Sequence, residues 1–195
     1  MKLAAVILAG GRSQRMGQDK ALLKKDGVTL LRRTWDVAHK LSTDVWVVTP
    51  YRDRYQAYLP AETQWLDEPM SNPELPPAGP LIAFQRALST ITVDWILLLA
   101  CDLPNLEAEP LQRWCQALPD LPADAIAYVP QTTNGWEPLC GFYRGSCLPA
   151  LQDYLATGER SFQHWLTRSP VVAIPHVPIA MLANCNTPAD WQRLQ

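Results

Sequence analysis

Residues 8–23 read LAGGRSQRMGQDKALL, which sets three glycines, two arginines and a lysine directly behind a run of strand-forming residues. Gly10, Gly11 and Gly17 can take φ > 0 and let the backbone approach a ligand closely. The N–H groups of such a loop can converge on phosphate oxygens. From Arg12 to Lys20 there are three positive residues and one negative, Asp19, although the whole chain carries a formal charge of −2. Attraction for an anion is therefore local. An Arg or Lys about 4 Å from a phosphate charge contributes roughly 4 kcal/mol at an effective dielectric near 20, before desolvation is subtracted. Two or three such contacts would hold a triphosphate. The competing reading is a glycine-rich turn with solvated charges, but glycines, basic residues and strand end coincide here. The loop is not a Walker A motif, because Gly17 is followed by Gln18, Asp19, Lys20 and Ala21, and it lacks the G-x-G-x-x-G spacing of a dinucleotide site. Nor does a helix follow at once, since the turn signal Asp26-Gly27 intervenes. The expected grip is a wrapped loop plus Lys20, without a helix dipole.

A second candidate is Asp102, which follows the apolar run ILLLAC and precedes Pro104. A carboxylate there costs desolvation energy unless something compensates it. Mg²⁺ shared between Asp102 and phosphate oxygens would do so, since that ion typically takes one or two carboxylates plus substrate phosphates. An Asx-turn is the alternative. Asp67 ends a weaker strand pattern in QWLDEP and is either a loop acid or a reader of guanine, whose ring N–H and amino group both donate to a carboxylate. His39, His164 and His176 have no metal-ligand spacing. No G-x-S-x-G elbow is present. Phosphate grips, one acid and a metal suit phosphoryl or nucleotidyl transfer by positioning and charge neutralisation.

The elements that would carry these groups follow an α/β pattern. Continuous apolar runs at 3–8 and 95–100 suit central parallel strands covered on both faces. Residues 44–49, 63–67, 125–129 and 171–174 suggest further strands. Helices are expected after Thr29, from Pro80, from Pro110, and from Pro188 with Thr187 as cap. Alternation of strand and helix implies right-handed crossovers and a three-layer, mostly parallel sheet. Ligands bind such sheets beyond the carboxyl ends of the strands, where both Gly10 and Asp102 fall. The proline-rich segments at 69–80 and 119–130 are expected to be ordered loops.

At 195 residues and 48% apolar content the chain suits one domain with a full core. Its nucleotide-binding half would span about 1–105 and its second-substrate half about 106–195. No basic footprint for nucleic acid and no membrane-spanning run is present. The start MKLAAVILAGG looks like a signal peptide, but the apolar run is short and charged residues stand where cleavage would occur. Five cysteines without a C-x-x-C pair fit neither a disulfide framework nor a zinc site. A reduced, cytoplasmic protein is expected. The eight tryptophans, Trp114 and Trp165 among them, are read as core more than as a docking surface.

Together LAGGRSQRMGQDKALL, GPL, CDLP and NCNTPADW resemble the molybdenum cofactor guanylyltransferases (MobA), in order and spacing, across nearly the whole chain. The resemblance implies a Rossmann-like nucleotide-diphospho-sugar-transferase fold. It also implies transfer of GMP from GTP to molybdopterin-bound molybdenum, with release of pyrophosphate, Mg²⁺ as cofactor, and contact with cofactor-biosynthesis or acceptor proteins. By position, Leu8, Ala9 and Gly10 would lie against guanosine through their backbone, Lys20 would grip phosphate, and Asp67 would contact the nucleotide. Asp102 would bind Mg²⁺ and GTP, and Arg15 would stabilise the leaving pyrophosphate. Asn184 and Asn186 would lie near the metal or pterin phosphate. Two departures stand out: Ile82 and Ala83 follow GPL where the family has a small residue and glycine, and Thr49 stands where some relatives carry asparagine. The implied chemistry is attack by the pterin's terminal phosphate on the α-phosphorus of GTP. That nucleophile is already anionic and needs no general base. Rival readings are a cytidylyl or sugar-1-phosphate transferase of the same fold, and a GTP-binding module without turnover. On the pterin side, Arg160 and Ser161 are further candidates for its phosphate, with a helix cap as the alternative for Ser161.

Overall fold

A computed structural model describes residues 1–10, 18–68, 79–185 and 187–193. In chain order the strands are β1 (Leu3–Leu8), β2 (Lys24–Lys25), β3 (Val28–Thr29), β4 (Val45–Thr49), β5 (Gln64–Asp67), β6 (Trp95–Ala100), β7 (Ala127–Thr132), β8 (Gly135–Trp136), β9 (Cys140–Arg144) and β10 (Val171–Ile174). The α-helices are α1 (Leu30–His39), α2 (Arg52–Tyr55), α3 (Pro80–Thr90), α4 (Ala108–Ala117), α5 (Leu148–Ala156), α6 (Phe162–Thr167) and α7 (Pro188–Arg193).

The main sheet runs β10-β7-β9-β6-β1-β4-β5, with β8 attached to β7. β1 lies between β4 and β6 and is parallel to both. Side chains alternate across these strands because the strand period is two. Ala5 and Ile7 of β1, with Leu97 and Leu99 of β6, face Leu31 and Trp35 of α1 and Leu111 and Trp114 of α4. Ala4, Val6, Ile96 and Leu98 face Leu81 and Phe84 of α3 and Trp165 of α6. Both faces are dry, which is why β1 and β6 read as unbroken apolar runs and why the three-layer expectation holds. Trp114 and Trp165 are buried, as core residues.

Local signals set several boundaries. The Thr29 hydroxyl accepts the Arg32 N–H at the start of α1. Thr187 and Asp190 cap α7 reciprocally, the Thr187 hydroxyl accepting from the Asp190 N–H and the Asp190 carboxylate from the Thr187 N–H. Asp26 and Gly27, at φ 52° and 79°, turn the β2–β3 hairpin. α4 opens two residues before Pro110, because first-turn N–H groups lack helical partners anyway and proline loses nothing there.

Two expectations need correction. β9 is a buried antiparallel strand between β6 and β7, in a part of the chain whose residue pattern is short and irregular. Gly141 is needed there, since a Cβ would stand 3.1 Å from the Tyr128 carbonyl oxygen. β7 starts at Ala127 and continues through Pro130, in place of 125–129. Its ladder to β9 covers only Ala127 and Tyr128, so the missing proline N–H breaks no bond on that side.

Candidate active site

Leu8 of β1 is level with Ala100 of β6 and with Val48 of β4. The Cys101 N–H then donates to the Leu8 carbonyl at 3.3 Å. The chain leaving β1 and the acid after β6 thus emerge side by side at the carboxyl edge of the sheet. Lys20 comes back to this edge on a 3-10 turn, Lys20–Leu22, with its Nζ 3.6 Å from Asp102 Oδ2. Both side chains are largely buried, at 17% and 22% exposure. Burial raises the proton affinity of the Asp102 carboxyl, while the Lys20 ammonium and a backbone hydrogen bond pull it back down.

What holds Lys20 there was not legible in the sequence. Asp19 caps the turn by accepting the Ala21 N–H, and its carboxylate also accepts the Tyr55 hydroxyl at 3.0 Å and Arg54 Nη1 at 2.9 Å. Burial and Asp19 push the Tyr55 hydroxyl well above its ordinary range, so it stays a donor. The Asp19 carboxylate, the one acid between Arg12 and Lys20, is thereby paired with the Arg54 guanidinium of α2. The only signal available was the preference of Asp for helix N-caps.

The β1 end is fixed by Thr49. Its buried hydroxyl donates to the Ala9 carbonyl at 2.8 Å and accepts the Tyr51 N–H at 3.1 Å. Thr49 therefore acts on the loop rather than on a ligand. The Ala9 N–H is committed to Val48 O, so Ala9 can meet a nucleoside by contact but has no donor to spare. Gly10 does not use the positive φ open to it. It is needed for close approach instead, because a Cβ would lie 2.5 Å from Glu68 Oε2.

That carboxylate changes the picture of the β5 flank of this edge. Asp67, level with Thr49 at the end of β5, is 64% exposed and pairs with Arg52 at 3.8 Å. Its neighbour Glu68 folds back over Gly10, and burial raises its carboxyl's proton affinity against the pull of Arg86. Sequence reasoning passed over Glu68 because an adjacent acid pair does not say which member turns inward.

On the other side of Asp102, its carbonyl accepts the Cys185 N–H at 3.0 Å, which brings the Asn184 backbone beside it. The exposed Asn184 side chain reaches a cleft shared with Leu103 and Glu137. Arg15 and Asn186 lie outside the described residues, as do Gly11 and Gly17. Arg160 donates to the carbonyls of Leu155 and Glu159, and Ser161 caps α6 through the His164 N–H. Ala83 is packed inside α3 and offers no backbone approach.

Among the described residues no group of three or more His, Cys, Asp or Glu side chains could cage a metal. The donor set fits a hard cation that brings its own oxygens, with Asp102 as one protein carboxylate and phosphates supplying the rest. The five cysteines form no disulfide. No described helix is long and apolar enough to cross a membrane.

Comparison with known proteins agrees with this arrangement. Residues 5–171 match the model of the MobA-like NTP transferase domain. A Synechococcus elongatus protein named "Probable molybdenum cofactor guanylyltransferase" is 50% identical over 195 residues, covering 100% of this chain and 99% of the relative. A Nostoc protein of the same name is 44% identical over 99% of this chain and 90% of its own length. In fold, the chain superposes on a crystal structure titled molybdopterin-guanine dinucleotide biosynthesis protein A, from Archaeoglobus fulgidus. That match has a TM-score of 0.73 at 20% identity, over 98% and 96% of the two chains. With its carboxyl-edge loop, its Lys20–Asp102 pair and full-length relatives of this kind, the chain belongs to the MobA-like NTP transferase family of molybdenum cofactor guanylyltransferases.

Proposed function

We propose that this protein transfers GMP from GTP to molybdopterin-bound molybdenum cofactor, releasing pyrophosphate and forming the guanine dinucleotide cofactor. The observation that carries the reading is the convergence of Lys20 and Asp102 beside the end of β1, 3.6 Å apart on one edge. Both side chains are held there largely desolvated, an arrangement suited to an anionic ligand that brings a cation.

In this reading the triphosphate lies along the loop after Leu8, and the nucleoside lies towards β4 and β5. Leu8, Ala9 and Gly10 form its floor, with Asp67 and Glu68 as the acids on that side. Lys20 leaves Asp102 for a phosphate oxygen and neutralises charge that grows on the leaving pyrophosphate, a task Arg15 shares. Asp102 holds Mg²⁺, which when bound would screen the phosphate oxygens from one another and from the incoming anion. The acceptor phosphate attacks the α-phosphorus, the bond to the bridging oxygen breaks, and the electron pair leaves with pyrophosphate. His39 is taken up by stacking on Trp35, and His164 by pairing with Glu159. That suits a nucleophile which needs no deprotonation. Asn184 belongs to the acceptor side, as does Asn186 by sequence position.

Pyrophosphate release measured with each of the four nucleoside triphosphates, against molybdopterin and common sugar 1-phosphates, tests the proposal. Turnover confined to GTP with molybdopterin is expected. Preference for CTP, turnover with a sugar phosphate, or GTP binding without release would each replace it.

A further inference from the structure

Beside Asp102, on the β9 flank of β6 and away from β1, lies a cleft of about 170 Å³ walled by Leu103, Trp136, Glu137, Gln163, Leu182 and Asn184. We infer that this cleft takes the flat ring of the acceptor, a 2-amino-4-oxopteridine, and that Glu137 accepts its two adjacent N–H donors; the inference rests on the guanylyl-transfer reading above.

Position is the first argument. Cys140 is level with Leu99, and the Ala100 N–H donates to the Leu139 carbonyl at 2.8 Å, so the segment 137–140 lines the end of β6. Leu103 follows Asp102 directly, and the Cys185–Asp102 bond brings Asn184 to the opposite wall. Nucleoside-side groups, Thr49 and Glu68, lie across β1 from there. Asp102 is then the point where two ligands on opposite flanks of β6 would meet, as a transfer between them requires.

Chemistry is the second. The cleft has one carboxylate, Glu137, the amides of Asn134, Gln163 and Asn184, one indole and no Lys or Arg among its lining residues. Without a cation it offers a phosphate no opposite charge, whereas it suits a neutral, donor-rich aromatic ring. Among the described residues the Glu137 carboxylate receives one hydrogen bond, from the Thr132 hydroxyl at 3.3 Å, and so keeps lone pairs for a ligand. A 2-amino-4-oxo ring presents its N3–H and 2-amino group on one edge, a match for two carboxylate oxygens. The volume is below the roughly 300–1,000 Å³ of pockets for drug-sized ligands. It admits a bicyclic head and leaves the phosphate outside, towards Asp102.

Rigidity is the third. Both backbone groups of Trp136 are held by one side chain, its N–H donating to Gln163 Oε1 at 2.9 Å and its carbonyl accepting from Gln163 Nε2. Gly135, at φ 109°, leaves no room for a Cβ, which would stand 2.8 Å from Gln163 Oε1. The β7–β8 hairpin is thus pinned to α6 before any ligand arrives, which removes an ordering cost from binding.

The test is equilibrium binding of pterin itself, 2-amino-4-oxopteridine, followed by its own fluorescence, to wild-type protein and to Glu137→Gln. Charge-assisted hydrogen bonds of this kind imply binding about 10- to 100-fold weaker in the variant, with GTP affinity and unfolding midpoint unchanged. A second measurement needs no variant: 2,4-dioxopteridine, which turns an acceptor towards Glu137, should bind wild type at least about tenfold more weakly than pterin. Equal binding of pterin by both proteins, no discrimination between the two pteridines, no binding by wild type, or a loss that falls on GTP instead overturns the inference. Absence of pyrophosphate release alongside Glu137-dependent pterin binding would count against the proposed function and leave the cleft assignment standing.

Discussion

Replacing Thr49 by valine isolates the bond that fixes the end of β1. Valine matches threonine in volume, so no cavity opens and the change falls on hydrogen bonding. The hydroxyl is fully buried and serves twice, donating to the Ala9 carbonyl at 2.8 Å and accepting the Tyr51 N–H at 3.1 Å. Ala9 is only 2% exposed, so water cannot replace the lost donor at its carbonyl. A buried polar group left unmatched costs about 1–3 kcal/mol and an ordinary bond about 1 kcal/mol, which together give roughly 2–4 kcal/mol. For a domain of this size that corresponds to a fall in Tm of roughly 5–15 °C. Thermal unfolding of the free protein by circular dichroism measures it, and titration calorimetry with GTP reports whether Gly10 is still presented correctly. Thr49→Ser keeps the hydroxyl and should recover most of both losses. A valine variant within about 1 °C of wild type, or a serine variant as damaged as valine, would refute the claim that this hydroxyl builds the loop.

Asp102→Asn should slow pyrophosphate release by roughly two to three orders of magnitude while the protein stays folded, and wild-type-like turnover would remove Asp102 from the chemistry. Lys20→Ala should weaken GTP binding about 10- to 100-fold, a discounted share of its gross attraction for phosphate; unchanged affinity in calorimetry would move the triphosphate elsewhere. Gly10→Ala should leave Tm almost unchanged, because the atom it meets is the flexible end of Glu68, yet weaken GTP binding by displacing that carboxylate. Combined with Glu68→Gln it should show less than the sum of the two single losses, and full additivity would separate the residues. Pterin affinity should depend on pH through Glu137, whose carboxyl burial raises against a lowering bond from Thr132. The ionised form accepts both N–H groups, so affinity is full above the raised value and falls with acid sooner than an ordinary glutamate would allow. By linkage the folded state holds that proton more tightly than the unfolded chain, so Glu137 weakens the free protein as pH rises through the raised value. The other titratable group lining the cleft, the Cys140 thiol, is pushed up to about 12 by burial and stays neutral throughout. A flat pH profile, or one that Glu137→Gln leaves in place, would count against the assignment.

What the amino-acid order determined alone was whatever depends on a residue and its near neighbours. The runs LAAVIL and WILLLA could only be strands covered on both faces, because such unbroken apolar stretches have no solvent side. Thr187 announced α7 by capping chemistry that works over three residues, and the apolar spacing after Thr29 announced α1. Glycines and basic residues at a strand end marked out Gly10 and Lys20, and the acid after WILLLA marked out Asp102. Their adjacency then followed from the rule that parallel strands share one carboxyl edge. The tertiary structure alone decided the rest. Asp19 reaches Tyr55 across 36 positions and Thr49 reaches Ala9 across 40, and neither pairing leaves a local trace. Which acid of Asp67 and Glu68 turns inward depends on the space over Gly10. β9 inserts antiparallel beside β6 because Gly141 lets its backbone close on β7, a fit between surfaces distant in sequence. That insertion brings Glu137 and Leu103 to one cleft. Short-range preferences are set by dihedral and capping energies within a turn or two, whereas these contacts exist only once the packed sheet fixes which edges meet.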